Sequence, residues 1–148
     1  MGNNKVFREA TVNDIGNMSR IRISVKENVL NNPALVTQKD YIDYLTSYGK
    51  GWICEIDNEA VGFAIASLTQ NNIWALFIDP AHEEKGIGKE LHRMMMDWYF
   101  SKTAEKVWLN TDPGTRAELF YRKQGWTAKG MHGNEIRFEM TYSDWTKK

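Results

Sequence analysis

Apolar and polar residues recur with two different periods along the chain, and the period marks the elements. Residues 5–10 form a short predicted strand. Thr11 followed by Asp14 is a helix-start signal, an N-cap with an acid three residues on. Ile15, Met18, Ile21 and Val25 then recur at helical spacing, so the predicted helix runs from 13 to about 28 and breaks at Asn31-Asn32-Pro33. Thr37 and Asp40 repeat the cap signal. Tyr41, Tyr44, Leu45 and Tyr48 follow on one helix face, and Gly49 and Gly51 are the expected stop.

Trp52, Cys54 and Ile56 alternate with Ile53 and Glu55, the two-residue period of a strand. Asp57-Asn58 makes a tight turn, and residues 61–68 return as the second arm of a hairpin. After Gln70-Asn71-Asn72, residues 73–78 are an unbroken apolar run, the pattern of a strand covered on both faces. Asp79-Pro80 and a polar loop lead to Gly86-Ile87-Gly88. Ile87, Leu91, Met94, Met95 and Trp98 then mark an amphipathic helix ending near Phe100. Residues 106–111 are a strand, 115–124 a helix closed by Gly125, and 126–129 and 135–142 the last two strands. The predicted order is β-α-α-β-β-β-α-β-α-β-β. Antiparallel hairpins surround a central β-α-β unit with flanking helices, so the fold class is mixed α/β (α+β) with a mostly antiparallel sheet.

The 148 residues are 42% apolar and 26% charged, ordinary for a folded protein. A chain of this length buries roughly 69% of its unfolded surface, enough for a core without staples. No repeat or linker divides it, so residues 1–148 are expected to be a single domain. Nineteen basic residues balance nineteen acidic ones, which argues against a nucleic-acid partner. Cys54 is the lone cysteine, and the three histidines have no metal-ligand spacing, so no metal site is expected. No apolar stretch approaches a membrane span. The expected location is cytoplasmic, with no membrane partner.

Candidate chemistry concentrates in residues 73–100. The first turn of a helix has backbone N–H groups without internal partners, and with the helix dipole they make an anion site. Gly86 and Gly88 let a phosphate approach the main chain. Two phosphate motifs fail here. Glu90 follows Gly88-Lys89 where a P-loop needs Ser or Thr, and Leu91 stands where a dinucleotide fold needs a third glycine or alanine.

The stretch Leu76-Phe77-Ile78-Asp79-Pro80, then Glu83-Glu84-Lys85-Gly86-Ile87-Gly88 with Leu91 beyond, resembles the GCN5-related N-acetyltransferase (GNAT) superfamily. So do Trp108-Leu109-Asn110 and Phe120-Tyr121-Arg122-Lys123-Gln124-Gly125-Trp126, and the order of elements fits along nearly the whole chain. The resemblance implies an acetyl-CoA cosubstrate. It implies that Leu76, Phe77 and Ile78 offer backbone groups to the pantetheine arm and the acetyl carbonyl. It implies that Glu83, Glu84, Lys85, Gly86, Ile87, Gly88 and Lys89 wrap the pyrophosphate, and that Tyr121 protonates the leaving thiolate. Two features depart from the family: carboxylates at 83 and 84 beside a pyrophosphate, and Gly114 where many members carry Asn. Arg116 is expected to replace part of that contact, and Lys85 and Lys89 to offset the carboxylates.

The implied function is an acetyl-CoA-dependent N-acetyltransferase acting by direct transfer to a primary amine, on a small molecule or a peptide. A non-catalytic acyl-CoA-binding sensor or scaffold is the alternative. A homodimer is compatible with either. Tyr121 also reads as a core tyrosine, and Cys54 as a buried small hydrophobe. His92 falls off the apolar helix face and is expected to be solvated. His82 lies in the phosphate loop. Glu55, Asp79, His132 and Glu135 are the candidates for a general base. By family analogy, the loops 129–135 and 28–37 border the acceptor pocket.

Overall fold

The computed structural model describes residues 4–25 and 36–147. The predicted break at Asn31-Asn32-Pro33 and most of the 28–37 loop lie outside them, whereas the first helix, predicted to reach about residue 28, ends at Ser24, where Val25 is already extended. Seven strands form one sheet: β1 (Lys5–Glu9), β2 (Gly49–Ile56), β3 (Glu59–Ser67), β4 (Asn72–Ile78), β5 (Val107–Thr111), β6 (Thr127–His132) and β7 (Glu135–Met140). Their spatial order is β1-β2-β3-β4-β5-β7-β6, antiparallel throughout except for β4 and β5. Helices α1 (Ile15–Ser24) and α2 (Gln38–Thr46) cover one face. Helices α3 (Ile87–Lys102) and α4 (Arg116–Lys123) cover the other, and α5 (Tyr142–Thr146) ends the chain. The mixed α/β class and the central β-α-β unit are as expected.

Capping decides where the helices begin. Asn13 N–H donates to the Thr11 hydroxyl, and the Asp14 carboxylate accepts from Thr11 N–H at 2.8 Å. Thr37 and Asp40 repeat the reciprocal pattern at α2. Asp14 is buried and also takes two hydrogen bonds from Arg8, at 2.8 and 3.0 Å. Arg8 reaches Glu55 as well, tying β1, β2 and the entry to α1 together.

That network carries a pH dependence. The Arg8 guanidinium holds the Asp14 carboxyl below its ordinary value. An aspartate in an unfolded chain titrates near about 3.9. The stabilisation is therefore complete above that pH and is lost as pH falls through the lower folded value. The melting-temperature gap between wild type and Asp14→Asn should be widest above about pH 5 and shrink below about pH 4. A gap independent of pH would remove the pair from acid stability.

Several sequence expectations are corrected. Gly49 and Gly51 do not stop a helix; α2 ends at Thr46, and both glycines lie inside β2. A Cβ on Gly49 would fall 1.7 Å from the Ala66 carbonyl oxygen, so close strand approach explains that glycine. The strand covered on both faces is β3, where all but the first residue are buried. Leu76, Phe77 and Ile78 at the end of β4 are only half-buried, because the sheet opens there. Residue 142 starts α5 rather than ending β7: the Thr141 hydroxyl accepts from Asp144 N–H, and Trp145 Nε1–H donates to Asp97 at 2.9 Å.

The opening has a simple cause. β4 and β5 are parallel neighbours but pair only at Asn72 and Trp108, with Trp108 N–H donating to the Asn71 carbonyl. Beyond that point the strands part. An extra residue in β4, at the register shift between Ile65 and Ala66 of β3, adds to the irregularity. The gap exposes the backbone of β4 next to the start of α3.

Candidate functional site

The gap leads to a pocket of about 280 Å³. Leu76, Phe77 and Ile78 of β4 form one wall, and Gly86, Ile87, Gly88 and Lys89 at the start of α3 form another. Ala117, Phe120 and Tyr121 of α4 close a third side, and His82, Glu83, Glu84 and Arg116 rim it. Val25 and Gln124 also line it, without a sequence signal that marks them.

The Asp-Pro pair shapes the loop that enters this wall. The Asp79 carboxylate accepts from Ala81 N–H at 3.0 Å, and Asp79 N–H donates to the Val61 carbonyl at 2.8 Å. Pro80 opens a short 3-10 turn. Glu84 has φ +65° and Gly86 φ +80°. Two left-handed residues within three turn the chain sharply into α3. Glycine adopts that region freely, whereas at Glu84 it costs about 1 kcal/mol or more. Lys5 fixes the loop from β1, with its ammonium donating to the Lys85 carbonyl at 2.9 Å. The amides of the first turn of α3 have no acceptor within the helix, so the pocket floor is an anion-attracting surface.

Charge around the loop is arranged differently from the sequence expectation. The Arg116 guanidinium lies 3.4 Å from a Glu83 oxygen and 3.7 Å from a Glu84 oxygen. Arg116 thus compensates the two carboxylates of this loop. The Glu84 side chain is 79% exposed and lies mainly in solvent. Lys85 approaches His82 Nδ1 at 3.4 Å on the same loop.

Tyr121 joins core and pocket. Its ring packs against Phe120, Trp126 and Phe138, with centroids 5.3, 5.7 and 6.1 Å away. Gly125, with φ +97°, reverses the chain so that Trp126 folds back, and Trp126 N–H donates to the Tyr121 carbonyl at 3.1 Å. That reversal is the physical content of the F-Y-x-x-x-G-W stretch. Burial alone pushes the Tyr121 phenol well above its ordinary value. Tyr121 thus lines the pocket with its phenol protonated.

His92 overturns the sequence expectation: it is fully buried, not solvated. Its Nε2 accepts from Trp126 Nε1–H at 2.9 Å, and its ring lies 6.4 Å from that of Tyr121. The buried face of α3 is Ile87, Leu91, His92, Met95, Met96, Tyr99 and Phe100. It is rotated from the predicted stripe because α4 and Trp126 pack on the His92 side. Cys54 is buried as expected, and burial pushes its thiol up to about 11, which makes it a poor nucleophile.

A sequence model of the acetyltransferase (GNAT) family matches residues 20–126, most of the chain and every wall of the pocket. The chain belongs to the GNAT family. An uncharacterized ycf52-like N-acetyltransferase of Prochlorococcus marinus is 36% identical over 81 residues, 53% of this chain and 43% of that protein. The chain therefore matches less than half the length of that curated relative. The PaiA N-acetyltransferase of Thermoplasma acidophilum, solved in complex with coenzyme A, superposes with a TM-score of 0.82 at 14% identity. That match covers 94% of this chain and 99% of the other. An acetyltransferase of the GNAT family from Staphylococcus aureus superposes at 0.79 with 15% identity, over 94% and 99% of the two chains. At such identities the likeness is one of fold.

Within this GNAT fold the four base candidates stand apart from the pocket: Glu55, Asp79, His132 and Glu135 do not line it. Glu55 is engaged by Arg8, and Asp79 by Ala81 N–H and Arg20. Among the described residues there is no cluster suited to a metal ion, and no helix is long and apolar enough to cross a membrane.

Gly88 tests the floor of the pocket. A Cβ there would make only ordinary contacts, 3.6 Å from Ile78 and from Phe120. The fold should therefore tolerate Gly88→Val, while the added methyl groups fill the path of a ligand to the helix start. Coenzyme A affinity should fall more than about tenfold, or about 1.4 kcal/mol. An unchanged affinity by calorimetry would show that no ligand approaches this turn.

Proposed function

We propose that this chain is an acetyl-CoA-dependent N-acetyltransferase, a single catalytic domain over residues 1–148. It transfers an acetyl group directly to the primary amine of a small molecule or peptide. The observation that carries this is the joining of three features in one pocket: exposed β4 backbone, a glycine-flanked helix start, and a protonated tyrosine at the wall. Related folds include one solved with coenzyme A.

In this reading the pyrophosphate lies at Gly86, Ile87, Gly88 and Lys89, where first-turn amides and the helix dipole attract it. Lys85, Glu83, Glu84 and Arg116 form the rim, with Arg116 offsetting the carboxylates. The pantetheine arm runs along Leu76, Phe77 and Ile78, and β4 amides face the thioester oxygen. The neutral amine attacks the thioester carbonyl, and its negative oxygen is stabilised by the amides. Collapse breaks the C–S bond, and the thiolate takes the Tyr121 proton. The proton released by the amine leaves to solvent through the open pocket, and solvent returns one to the Tyr121 oxygen before the next turnover. The products are an N-acetyl amine and coenzyme A. A cytoplasmic setting fits the lone reduced thiol of Cys54.

Binding and turnover are separate tests. Acetyl-CoA at 100 times its dissociation constant stabilises a protein by about 2.7 kcal/mol. For a chain of this size that is roughly 5–10 °C in Tm. Acetyl-CoA and coenzyme A should both produce this shift and ATP should not. A shift with ATP alone would overturn the assignment. Release of free thiol with a panel of amines separates the enzyme from a non-catalytic acyl-CoA sensor, which would bind and release none.

A further inference from the structure

Six of the seven arginines in the chain have a hydrogen-bond or ion-pair partner: Arg8, Arg20, Arg93, Arg116, Arg122 and Arg137. The Arg22 side chain, in the last turn of α1, has none among the described residues. Its Nε and Nη1 are buried with no hydrogen-bond partner among the described residues. Its guanidinium instead lies over two rings of β4, 5.2 Å from the centre of Trp74 and 4.8 Å from that of Phe77. A guanidinium stays charged at any accessible pH and carries five donors. Ring faces offset part of the lost hydration but satisfy none of the N–H groups. A second polar atom nearby is in the same condition. The Tyr41 hydroxyl is buried without a partner among the described residues, and its ring meets Trp74 edge-on at 5.2 Å.

The position ties this charge to the pocket. Phe77 lines the pocket, and so does Val25, one helical turn beyond Arg22. The guanidinium therefore lies one side chain away from the strand proposed to hold the thioester. Arg22 as a whole is half-buried while its Nε and Nη1 are closed to solvent, so a carboxylate reaches the fork by a small turn of the side chain on the two rings. A planar fork over two aromatic rings, with no second cation stacked on either ring among the described residues, matches a monoanion of planar shape.

We propose that Arg22 is a carboxylate-binding residue and that the acceptor amine is an amino acid or another amine bearing a carboxylate. The term acceptor rests on the acetyltransferase reading, whereas the carboxylate site stands on Arg22 itself. The guanidinium forms paired N–H···O bonds with the carboxylate, and Trp74 and Phe77 exclude water from them. The carboxylate thereby orients the amine toward β4. Specificity follows from the same cost: an uncharged analogue leaves the buried donors unpaired and is rejected.

The test uses product-like probes, N-acetyl amino acids and their matched primary amides, spanning acidic, aliphatic and aromatic side chains. Each pair is titrated by calorimetry into wild type and Arg22→Met, with and without coenzyme A. At least one carboxylate should bind wild type tenfold more tightly than its amide. Arg22→Met, which keeps the stem on the two rings, should lose that preference while still binding coenzyme A. Arg22→Lys should recover only part of it, because a point charge lacks the fork. If no pair discriminates in wild type, or if the preference survives in Arg22→Met, the proposal is overturned and Arg22 is a packing residue. Should Arg22→Met fail to fold, the wild-type pairs and Arg22→Lys decide alone. Failure to bind coenzyme A would instead strike the acetyltransferase reading, and the titrations without coenzyme A would still decide the carboxylate site.

Discussion

Tyr121→Phe should lower turnover by roughly 10²–10⁴ while leaving the protein folded. The substitution keeps the ring, and with it the contacts to Phe120, Trp126 and Phe138. It removes only the hydroxyl of a residue that lines the pocket. A departing thiolate has a conjugate acid near pKa 8.5 by the cysteine reference, so it gains from a donor at about 3 Å. Burial raises the Tyr121 phenol, so the donor stays protonated through the neutral range and beyond its ordinary value near about 10. Tyr121 should therefore cause no loss of rate between about pH 7 and 10. Acetyl-CoA affinity should stay within a few-fold. The loss of turnover should shrink for an acyl donor whose thiol is more acidic. Steady-state kinetics on both proteins with one accepted amine checks this. A fall below about threefold with binding intact would assign Tyr121 to packing alone.

A large effect on stability is expected at Gly49→Ala, far from the pocket. The added Cβ would lie 1.7 Å from the Ala66 carbonyl oxygen and 2.9 Å from the Ser67 Cα. The obstacles are backbone atoms, which cannot rotate away. Gly49 and Ser67 are paired residues of β2 and β3, so relief requires the two strands to separate at that end. A loss of about 3 kcal/mol is expected, on the order of 10 °C in Tm. Gly16→Ala is the control. It lies in α1, where an added Cβ meets nothing within 4 Å. Alanine is the better helix former there, by about 0.5–1 kcal/mol. Urea midpoints for the two variants should move in opposite directions. A Gly49→Ala protein as stable as wild type would show that β2 and β3 are not held this closely.

Much of the fold was written locally. Thr11 with Asp14 and Thr37 with Asp40 mark the starts of helical segments, because a capping hydroxyl and carboxylate act within four residues of chain. Asp79-Pro80 and Gly86-x-Gly88 declare a tight loop feeding a helix, for the same local reason. From these and the hydrophobic periods the mixed α/β class and the position of the glycine-flanked loop could be read. Family resemblance added the expectation of a cofactor and of Tyr121.

What the chain could not declare depends on partners distant in sequence. Gly49 looks like a helix stop until Ala66 is placed against it. His92 looks solvated until Trp126 folds back onto it, 34 residues later. The half-buried end of β4 reads as a doubly covered strand, because apolar composition is the same whether a residue faces a core or a pocket. The parting of β4 and β5 after a single register pair, the engagement of Glu83 and Glu84 by Arg116, and the placement of Arg22 over Trp74 and Phe77 are likewise set in three dimensions. Short-range hydrogen bonding and side-chain periodicity determined the elements of this protein. Packing between elements, where burial and charge compensation are shared by residues far apart in the chain, decided the pocket and the chemistry available to it.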